Sequence, residues 1–226
     1  MIKMLFCDLD GTLLPQGAAA VSVNVKEKIR ALIRKGVRFC VASGRPYEQM
    51  KSLFGELSND IIFICLDGAL VMHRNCVLYK KRFCKLEAAR LLSSATGEVY
   101  GRGVSATVTE RDGAEAIKIK INRLGSEVFK VAVNDSPRET IGRVCYNKGG
   151  ITEYVAADCD KGAAVKVVMQ KFCVTAEETA ALGDGENDLP LLKVVGSPAK
   201  MEKCAPVLAP LSIPSVSTAI EWLEKF

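Results

Sequence analysis

Apolar and polar positions follow a regular pattern at the start of the chain. Short apolar runs begin near Met4, Val37 and Asp60, and each ends in polar or glycine residues, as buried strands followed by turns do. Between the first two runs, residues 22–35 place their apolar side chains on one helical face, and Gly36 ends the stretch. A second helix, of roughly ten residues, is predicted after the second run. This succession predicts parallel β-α-β units.

The pattern changes in the middle of the chain. The predicted elements there are helices at 87–96 and 137–145 and strands at 116–122, 128–133 and 151–156. The strand at 116–122 rests on alternating isoleucine and lysine, which is typical of a half-exposed strand. The helix at 137–145 has Pro137 in its first turn. These elements predict a small α+β insert.

The first pattern returns near Asp158. A helix is predicted at 161–172, a strand at 179–182, and a further helix from Leu189. We therefore predict an α/β fold, a doubly wound parallel sheet (a Rossmann-like core) with a smaller α+β cap domain inserted. The predicted units are a catalytic core of residues 1–72 and 157–226 and a cap of residues 73–156.

Composition and charge exclude several classes of protein. The 226 residues are 49% hydrophobic and 25% charged, an ordinary globular balance. The net charge of +5 is spread along the chain, so we expect no nucleic-acid partner. The longest apolar run, residues 61–66, is far below the ~18 residues of a membrane span, and no leader pattern precedes the first strand. We expect no membrane association.

The cysteines indicate the redox environment. Nine cysteines occur at irregular gaps, without a C-x-x-C or zinc-type pair, and several lie inside apolar runs. Such residues behave as small buried hydrophobes in a reducing compartment. We therefore expect a soluble cytoplasmic protein, either a monomer or a homodimer.

Polar side chains follow the predicted strands at the edge where parallel sheets bind ligands. They are Asp8 with Asp10, Ser43, Asp67, and Asp184 with Asn187 and Asp188. Hard divalent cations take oxygen ligands, so such a cluster suits a cation site. A carboxylate such as Asp8 is ionised at neutral pH and can attack phosphorus without a separate base, while Asp10 handles protons. The alternative is an ordinary Asp-Gly turn after a strand.

Three further segments could hold an anion. Lys161 begins a predicted helix, where the helix dipole disfavours a cation unless an anion is bound. Ser43 and Gly44 offer a hydroxyl and amide groups in a tight turn. Two glycines permit an unusual backbone path in the loop at 183–188, which also carries Asp184, Asn187 and Asp188. The alternatives are a solvated lysine, a common loop pair and a capped helix start.

Together these segments resemble four motifs of the haloacid dehalogenase superfamily of aspartate-nucleophile phosphotransferases. The matching segments are Asp8-Leu9-Asp10-Gly11-Thr12-Leu13-Leu14, Ala42-Ser43-Gly44-Arg45, Lys161-Gly162 and residues 183–188. The position and mixed pattern of the insert resemble the Cof-like (type IIB capped) branch of sugar-phosphate phosphatases. That branch also includes archaeal-type phosphoglycolate phosphatases, sucrose-phosphate phosphatases and phosphomannomutases. One departure is Asp67-Gly68-Ala69, where the branch often has Asn-Gly-Ala.

The resemblance implies roles for the motif residues. Asp8 would be the nucleophile and form an aspartyl-phosphate, and Asp10 would protonate the leaving oxygen and then activate water. The expected phosphate-binding residues are Thr12, which supports the loop, Ser43, Gly44, Lys161 and Asn187, which orients the phosphate or Lys161. The expected Mg²⁺ ligands are Asp8, the main-chain carbonyl of Asp10, Asp184, and Asp188 as a further ligand or a supporting carboxylate.

The function so implied is a Mg²⁺-dependent phosphatase of a small phosphomonoester, such as a sugar phosphate or a phosphoglycolate-like compound. The candidate substrate contacts are Arg45, Lys118, Lys120, Asn122, Arg123 and Glu153. One alternative is a phosphomutase, which returns the phosphoryl group to the substrate. Another is a non-catalytic phospho-aspartate receiver or binding protein, which needs neither a proton donor nor a cap.

Overall fold

The computed structural model of the protein describes residues 1–15, 17–93, 95–125, 127–134, 141–201, 211–213 and 221–226. Its strands are β1 (Met4–Asp8), β2 (Arg38–Ala42), β3 (Ile61–Cys65), β4 (Leu70–His73), β5 (Cys76–Lys80), β6 (Gly97–Tyr100), β7 (Ser105–Val108), β8 (Lys130–Val133), β9 (Arg143–Lys148), β10 (Ile151–Val155), β11 (Thr179–Gly183), β12 (Ser197–Met201) and β13 (Leu211–Ile213). Its α-helices are α1 (Val23–Arg34), α2 (Tyr47–Phe54), α3 (Lys85–Leu92), α4 (Ala114–Arg123), α5 (Lys161–Lys171) and α6 (Leu189–Leu192).

The larger sheet forms the core of the fold. Across the described ranges it holds eight strands in the order β13-β12-β11-β1-β2-β3-β4-β5. The strands from β13 to β3 are parallel, and β4 and β5 add an antiparallel edge. Apolar clusters cover both faces, which is why β1, β3 and β11 are buried along their whole length. The predicted doubly wound α/β fold is confirmed.

The strand order locates the ligand-binding edge. The chain moves from β1 outward through β2 to β3, and later re-enters on the other side of β1 at β11. The direction of winding therefore reverses between β1 and β11, and open α/β sheets bind ligands outside the carboxyl ends of strands at such a point. All the strand-end candidates of the sequence analysis lie at the last residue of β1 or in the segments that follow β1, β2, β3 and β11.

The smaller sheet is antiparallel and carries helices on one face. In the part of the chain that the structure describes, its five strands lie in the order β7-β6-β8-β10-β9. The apolar residues of α3 and α4 pack on this sheet around Val99, Val131 and Tyr154. The opposite face carries Lys130 and Glu153 toward the larger sheet. The expected α+β character of the insert is confirmed, whereas the expected domain boundaries, of which residue 72 lies within β4, stay a prediction.

The predicted strand at 116–122 is wrong, because these residues lie in α4. Ile117 and Ile121 are buried one helical turn apart, whereas Ile119 is 45% exposed. Five alternating residues fit an i, i+4 apolar face as well as they fit a strand, and the preceding Ala-Glu-Ala favours a helix. The consequence is that Lys118 and Lys120 lie on a helix and not on a strand face.

The predicted helix at 137–145 is also wrong where it can be compared, since residues 143–148 form β9; residues 137–140 lie outside the described ranges. β9 and β10 form a hairpin through Gly149 and Gly150, whose φ angles are 63° and 78°. A two-residue Gly-Gly connection between apolar-polar alternations is a strong hairpin signal. That signal outweighs the single proline on which the helix was predicted.

Two further predictions concern the membrane and the cysteines. Among the described helices, none is long and apolar enough to cross a membrane. Eight cysteines are free thiols, of which Cys7, Cys40, Cys65 and Cys159 are buried, as expected. Three others, Cys76, Cys84 and Cys173, are exposed, because they lie in an edge strand or outside the regular strands and helices, and not in a core strand. Cys204 lies outside the described ranges.

Candidate active site

Three carboxylates from distant parts of the chain meet at the carboxyl ends of β1 and β11. Asp8 is the last residue of β1, and Asp184 and Asp188 follow β11. Carboxylate oxygens of all three lie within 4.8 Å of one another. Asp8 and Asp188 are buried, and Asp184 is partly exposed. Because like charges at this distance repel, the cluster requires compensating cations.

Lys161 supplies one compensating charge. Its Nζ lies 2.7 Å from Oδ1 of Asp8 and 2.6 Å from Oδ1 of Asp188, and its side chain is 1% exposed. Burial opposes the charged form, but Asp188 and Asp8 outweigh it and hold the pKa of Lys161 above its usual value. Lys161 is thus a fixed ammonium ion at the centre of the carboxylate cluster.

The start of α5 fixes the position of Lys161. Asp160 caps the helix by accepting a hydrogen bond from the amide of Ala163 at 2.7 Å. A Cβ on Gly162 would overlap the carbonyl of Pro190, so only glycine lets α5 approach α6 this closely. The Lys-Gly pair therefore places an ammonium at the sheet edge while the helix packs against its neighbour.

The loop after β11 is organised by Asp188. Oδ2 of Asp188 accepts hydrogen bonds from the amides of Asp184 at 3.0 Å and Gly185 at 2.9 Å, while its Oδ1 binds Lys161. Both carboxylate oxygens are therefore engaged within the protein. This arrangement favours the supporting role for Asp188 over that of a direct metal ligand.

The chemistry of the cluster fits a divalent cation. Burial, together with repulsion from Asp188, raises the pKa of Asp184 to about 6, and burial also raises the pKa of Asp8 well above its usual value. Carboxylic acids whose pKa values are raised in this way bind either a proton or a cation. A Cβ on Gly11 would overlap the Asp184 carboxylate, so a glycine with φ of 87° leaves room for that carboxylate beside the first motif.

Asp10 lies on the wall of the site. Its Oδ1 accepts a hydrogen bond from Nη2 of Arg45 at 2.6 Å, and its Oδ2 accepts from Nε of Arg45 at 2.9 Å and from Oγ of Ser43 at 3.3 Å. The Arg45 contact is the two-point geometry that guanidinium forms with carboxylates. Arg45 and Ser43 thus hold the Asp10 side chain in one place, half-exposed at the edge of the cavity.

Thr12 of the first motif and residues 43–45 of the second differ in their hydrogen bonding. The Thr12 hydroxyl is buried and finds no hydrogen-bond partner among the described residues, so the structure leaves its supporting role untested. The Ser43 amide donates to the Ile64 carbonyl and the Arg45 amide to Ser43 Oγ. Of the amides at 43–45 only that of Gly44 lacks an acceptor among the described residues. It is the one main-chain donor that the loop leaves for an anion.

Asn187 makes a contact that the sequence did not predict. Its Nδ2 donates to Oδ1 of Asp67 at 3.0 Å, so it binds the end of β3 and not Lys161. Asp67 is buried, with a left-handed φ of 54°. Burial favours its neutral form, but Lys130 and Lys161 outweigh burial and hold the pKa of Asp67 at about 2. Asp67 therefore remains a carboxylate inside the protein.

A cavity of about 1160 Å³ lies between the two sheets. Its core side includes Asp8, Asp10, Arg45, Lys161 and Asp184, and its opposite side is formed by residues of β8, β9 and β10. Acidic and basic groups thus line one partly open cleft large enough for a small organic molecule.

A family model described as "haloacid dehalogenase-like hydrolase" matches residues 5–109 and 104–209. The chain belongs to this haloacid dehalogenase-like hydrolase family. The family predicted from the four motifs is therefore confirmed, and the match extends over most of the chain.

Curated relatives of this haloacid dehalogenase-like hydrolase agree with the assignment. It is 24% identical to the 5-amino-6-(5-phospho-D-ribitylamino)uracil phosphatase YbjI of Escherichia coli, with 89% of this chain and 85% of the relative covered. It is 26% identical to a phosphoglycolate phosphatase of Metallosphaera sedula, covering 92% and 89%. The prediction of an enzyme, a haloacid dehalogenase-like phosphatase, is confirmed.

A solved structure shows the same fold. The HAD subclass IIB sugar phosphatase BT4131 superimposes with a TM-score of 0.79 at 19% identity, covering 99% of this chain and 98% of that one. At this level of identity the likeness concerns the fold, including the presence of a cap. It agrees with the Cof-like, type IIB branch that the insert resembled.

The six candidate substrate contacts divide into two groups. Arg45 and Glu153 line the cavity of this hydrolase. The other four, Lys118, Lys120, Asn122 and Arg123, belong to α4 and are absent from the cavity walls that the structure describes. Lys120 binds Asp112, and Lys118 lies 3.9 Å from Glu115. The predicted strand is instead a helix on the far face of the smaller sheet, which places these four away from the cavity, and their role as substrate contacts stays a prediction.

Three cationic residues of the cavity were missed, namely Lys130, Arg143 and Lys148. Lys130 is 2% exposed and binds Asp67 and Glu153, and Arg143 binds Asp160 and the carbonyl of Cys159 at 3.3 Å. The signal for Lys130 was a lone lysine within the apolar run Val128-Phe129-Lys130-Val131, since lysines are rarely buried without a partner. Arg143 gave no comparable signal because its strand was predicted to be a helix.

Proposed function

We propose that the protein is a Mg²⁺-dependent phosphatase that hydrolyses a small phosphomonoester through an aspartyl-phosphate on Asp8. The observation that carries the proposal is the contact of Lys161 with both Asp8 and Asp188 in the cleft between the two sheets. That contact leaves a buried carboxylate beside a fixed ammonium. The carboxylate is a nucleophile and the ammonium binds phosphoryl oxygens, as phosphoryl transfer requires.

Mg²⁺ fits the residues present. Asp8, Asp184 and the main-chain carbonyl of Asp10 would hold it, with Asp188 supporting the loop through its bonds to the amides of Asp184 and Gly185. When bound, the ion supplies positive charge that offsets the repulsion between carboxylates and phosphate. The raised pKa values of Asp8 and Asp184 support this proposal, because they reflect uncompensated negative charge as well as burial.

The residues of the chain divide the reaction into two steps. An oxygen of Asp8 forms a bond to phosphorus while the bond to the leaving oxygen breaks, and Asp10 gives that oxygen a proton. Water then attacks phosphorus, Asp10 takes the proton from the water, and the bond from Asp8 to phosphorus breaks to release inorganic phosphate. Lys161 and the Gly44 amide hold the phosphoryl oxygens throughout.

The substrate class rests on the cavity and on the relatives. The cavity of about 1160 Å³ suits a small organic phosphate, and the relatives include phosphatases named for a phosphorylated ribityl compound and for phosphoglycolate. We therefore propose a sugar phosphate or a phosphoglycolate-like compound as the substrate. The protein acts on this free small molecule in the cytoplasm, as a monomer or a homodimer.

A panel of phosphorylated metabolites, assayed with Mg²⁺ and with the ion chelated, tests this proposal. We expect release of inorganic phosphate from at least one sugar phosphate or short phosphorylated acid, and its loss on chelation. Product analysis separates hydrolysis from a mutase, because a mutase returns an isomeric phosphate ester. Turnover that survives chelation, or an isomer as the sole product, would contradict the proposal.

A further inference from the structure

One buried ammonium joins the smaller sheet to the phosphate-binding loop. Nζ of Lys130, on β8, lies 2.9 Å from Oδ2 of Asp67 and 3.1 Å from the carbonyl oxygen of Gly44, and it also binds the Glu153 carboxylate on β10. An ammonium has three hydrogen-bond donors, and here each has an acceptor. Two of these acceptors lie in segments that follow strands of the larger sheet, and one lies in a strand of the smaller sheet. Lys130 therefore connects the two sheets across the cavity.

Asp67 extends this connection to the fourth motif. Its Oδ2 faces Lys130, and its Oδ1 accepts a hydrogen bond from Asn187, the residue before Asp188. The contacts run from Glu153 through Lys130 and Asp67 to Asn187, and we call these four residues the latch. The latch thus links the cap side of the cavity with the loops that carry Gly44 and Asp188.

The loop at Gly44 passes directly against the latch. A Cβ on Gly44 would lie 2.9 Å from Oδ2 of Asp67 and 3.1 Å from Nζ of Lys130, which is closer than side chains normally approach. The same glycine carries the main-chain donor that is left for an anion. The Gly44 carbonyl therefore accepts a hydrogen bond from Lys130, and the absence of a side chain at Gly44 leaves room for Lys130 and Asp67.

A buried ion pair specifies geometry more than it adds stability, because desolvation offsets most of the attraction. If the two sheets separate, the contact between Lys130 and Asp67 breaks and water solvates both groups. The pair therefore favours one spacing of the sheets. We propose that Lys130 is a positioning residue, which holds the smaller sheet against Gly44 so that the Ser43–Gly44 loop meets the substrate phosphate. This inference rests on the proposed phosphatase function and deepens it.

Three variants test the latch. Lys130→Met removes the ammonium but leaves Asp67 buried without its main partner, so it can fail to fold. The double variant Asp67→Asn/Lys130→Met removes both charges and keeps a side chain at 67 that can accept from Asn187. Lys85→Met is the matched control, because Lys85 donates to the Gly125 carbonyl at 2.8 Å within the cap and is absent from the described cavity walls.

The kinetic comparison uses para-nitrophenyl phosphate with Mg²⁺, and inorganic phosphate as the inhibitor. In the double variant we expect KM and the phosphate inhibition constant to rise about tenfold, the effect of losing one charged hydrogen bond, while Tm stays close to that of the wild type. Lys85→Met keeps both constants. A double variant with wild-type KM and inhibition constant would show that Lys130 only compensates Asp67, and the inference would be wrong.

Hydrogen–deuterium exchange gives a readout that does not depend on turnover. We expect faster exchange in the double variant in peptides covering 43–45 and 127–133, with no change in Lys85→Met. Equal exchange in the double variant and the wild type would overturn the latch. A wild-type protein that hydrolyses no phosphate ester overturns the proposed function alone, and the exchange comparison then decides the latch.

Discussion

The Asp8→Asn variant is expected to lose more than about 10³-fold in kcat for para-nitrophenyl phosphate while remaining folded. An amide has no carboxylate oxygen with which to form the acyl phosphate, so the first step of the reaction is lost. Burial and the neighbouring Asp188 raise the pKa of Asp8, so the ionised carboxylate destabilises the folded protein at neutral pH. Removing that charge keeps or raises the Tm measured without Mg²⁺.

Asp158→Asn is the matched control for this variant. Asp158 is an aspartate that binds Lys81 and is absent from the cavity walls that the structure describes. Its loss keeps kcat within about twofold, as expected for an exposed ion pair. Residual turnover by Asp8→Asn within tenfold of the wild type would assign the nucleophile to another residue.

The second large effect is expected for Lys161→Met, which loses both activity and stability. Lys161 is the ammonium that binds Asp8 and Asp188, so its removal leaves buried carboxylates without their partner. Breaking a buried pair in this way costs about 3–5 kcal/mol, which lowers Tm by roughly 10 °C in a chain of this size. Loss of one fixed charge at the phosphoryl group lowers kcat/KM by about 10²–10³-fold.

The deficit in Tm should depend on pH in a defined direction. An acid with a higher pKa in the folded than in the unfolded protein stabilises the fold at low pH, and this stability is lost as pH rises between the two pKa values. For Asp184 that interval runs from about 4 to about 6. Lys161 lowers the pKa values of Asp184 and Asp8, so its removal raises them further. The Tm of Lys161→Met without Mg²⁺ should therefore fall more steeply than that of the wild type as pH rises from 4 to 7. Lys166→Met, an exposed lysine of the same helix, should match the wild type.

Sequence reasoning predicts the core of this fold well, because local and global signals agree there. β1, β2, β3 and β11 are short apolar runs that end in polar turns, and α1 has both a Ser22 cap and one buried face. The elements of the inserted cap domain were harder to predict, because they are short and half-exposed. In α4 five residues satisfy two periodicities, and only packing of Ile117 and Ile121 on the smaller sheet decides between them.

The sequence predicted those site residues whose residue type and motif position already indicate their chemical role. Asp8, Lys161 and Asp184 converge as the motif pattern and the parallel sheet require. Contacts between the two sheets were not predictable, because Lys130 reaches Gly44 across 86 positions of sequence and no local pattern specifies that distance. Asp67 shows the same limit: its difference from the common asparagine acquires meaning only with Lys130 beside it.

The central claim is that Asp8 carries the phosphoryl group during the reaction, and the Asp10→Asn variant tests it most directly. Para-nitrophenolate leaves without a proton donor, but hydrolysis of the acyl phosphate needs the base at Asp10. We expect a burst of about one para-nitrophenolate per protein molecule, with the phosphoryl group found by mass spectrometry on the acid-quenched peptide that contains Asp8. No burst in a variant that still turns over, or a phosphoryl group on any other residue, would contradict the account.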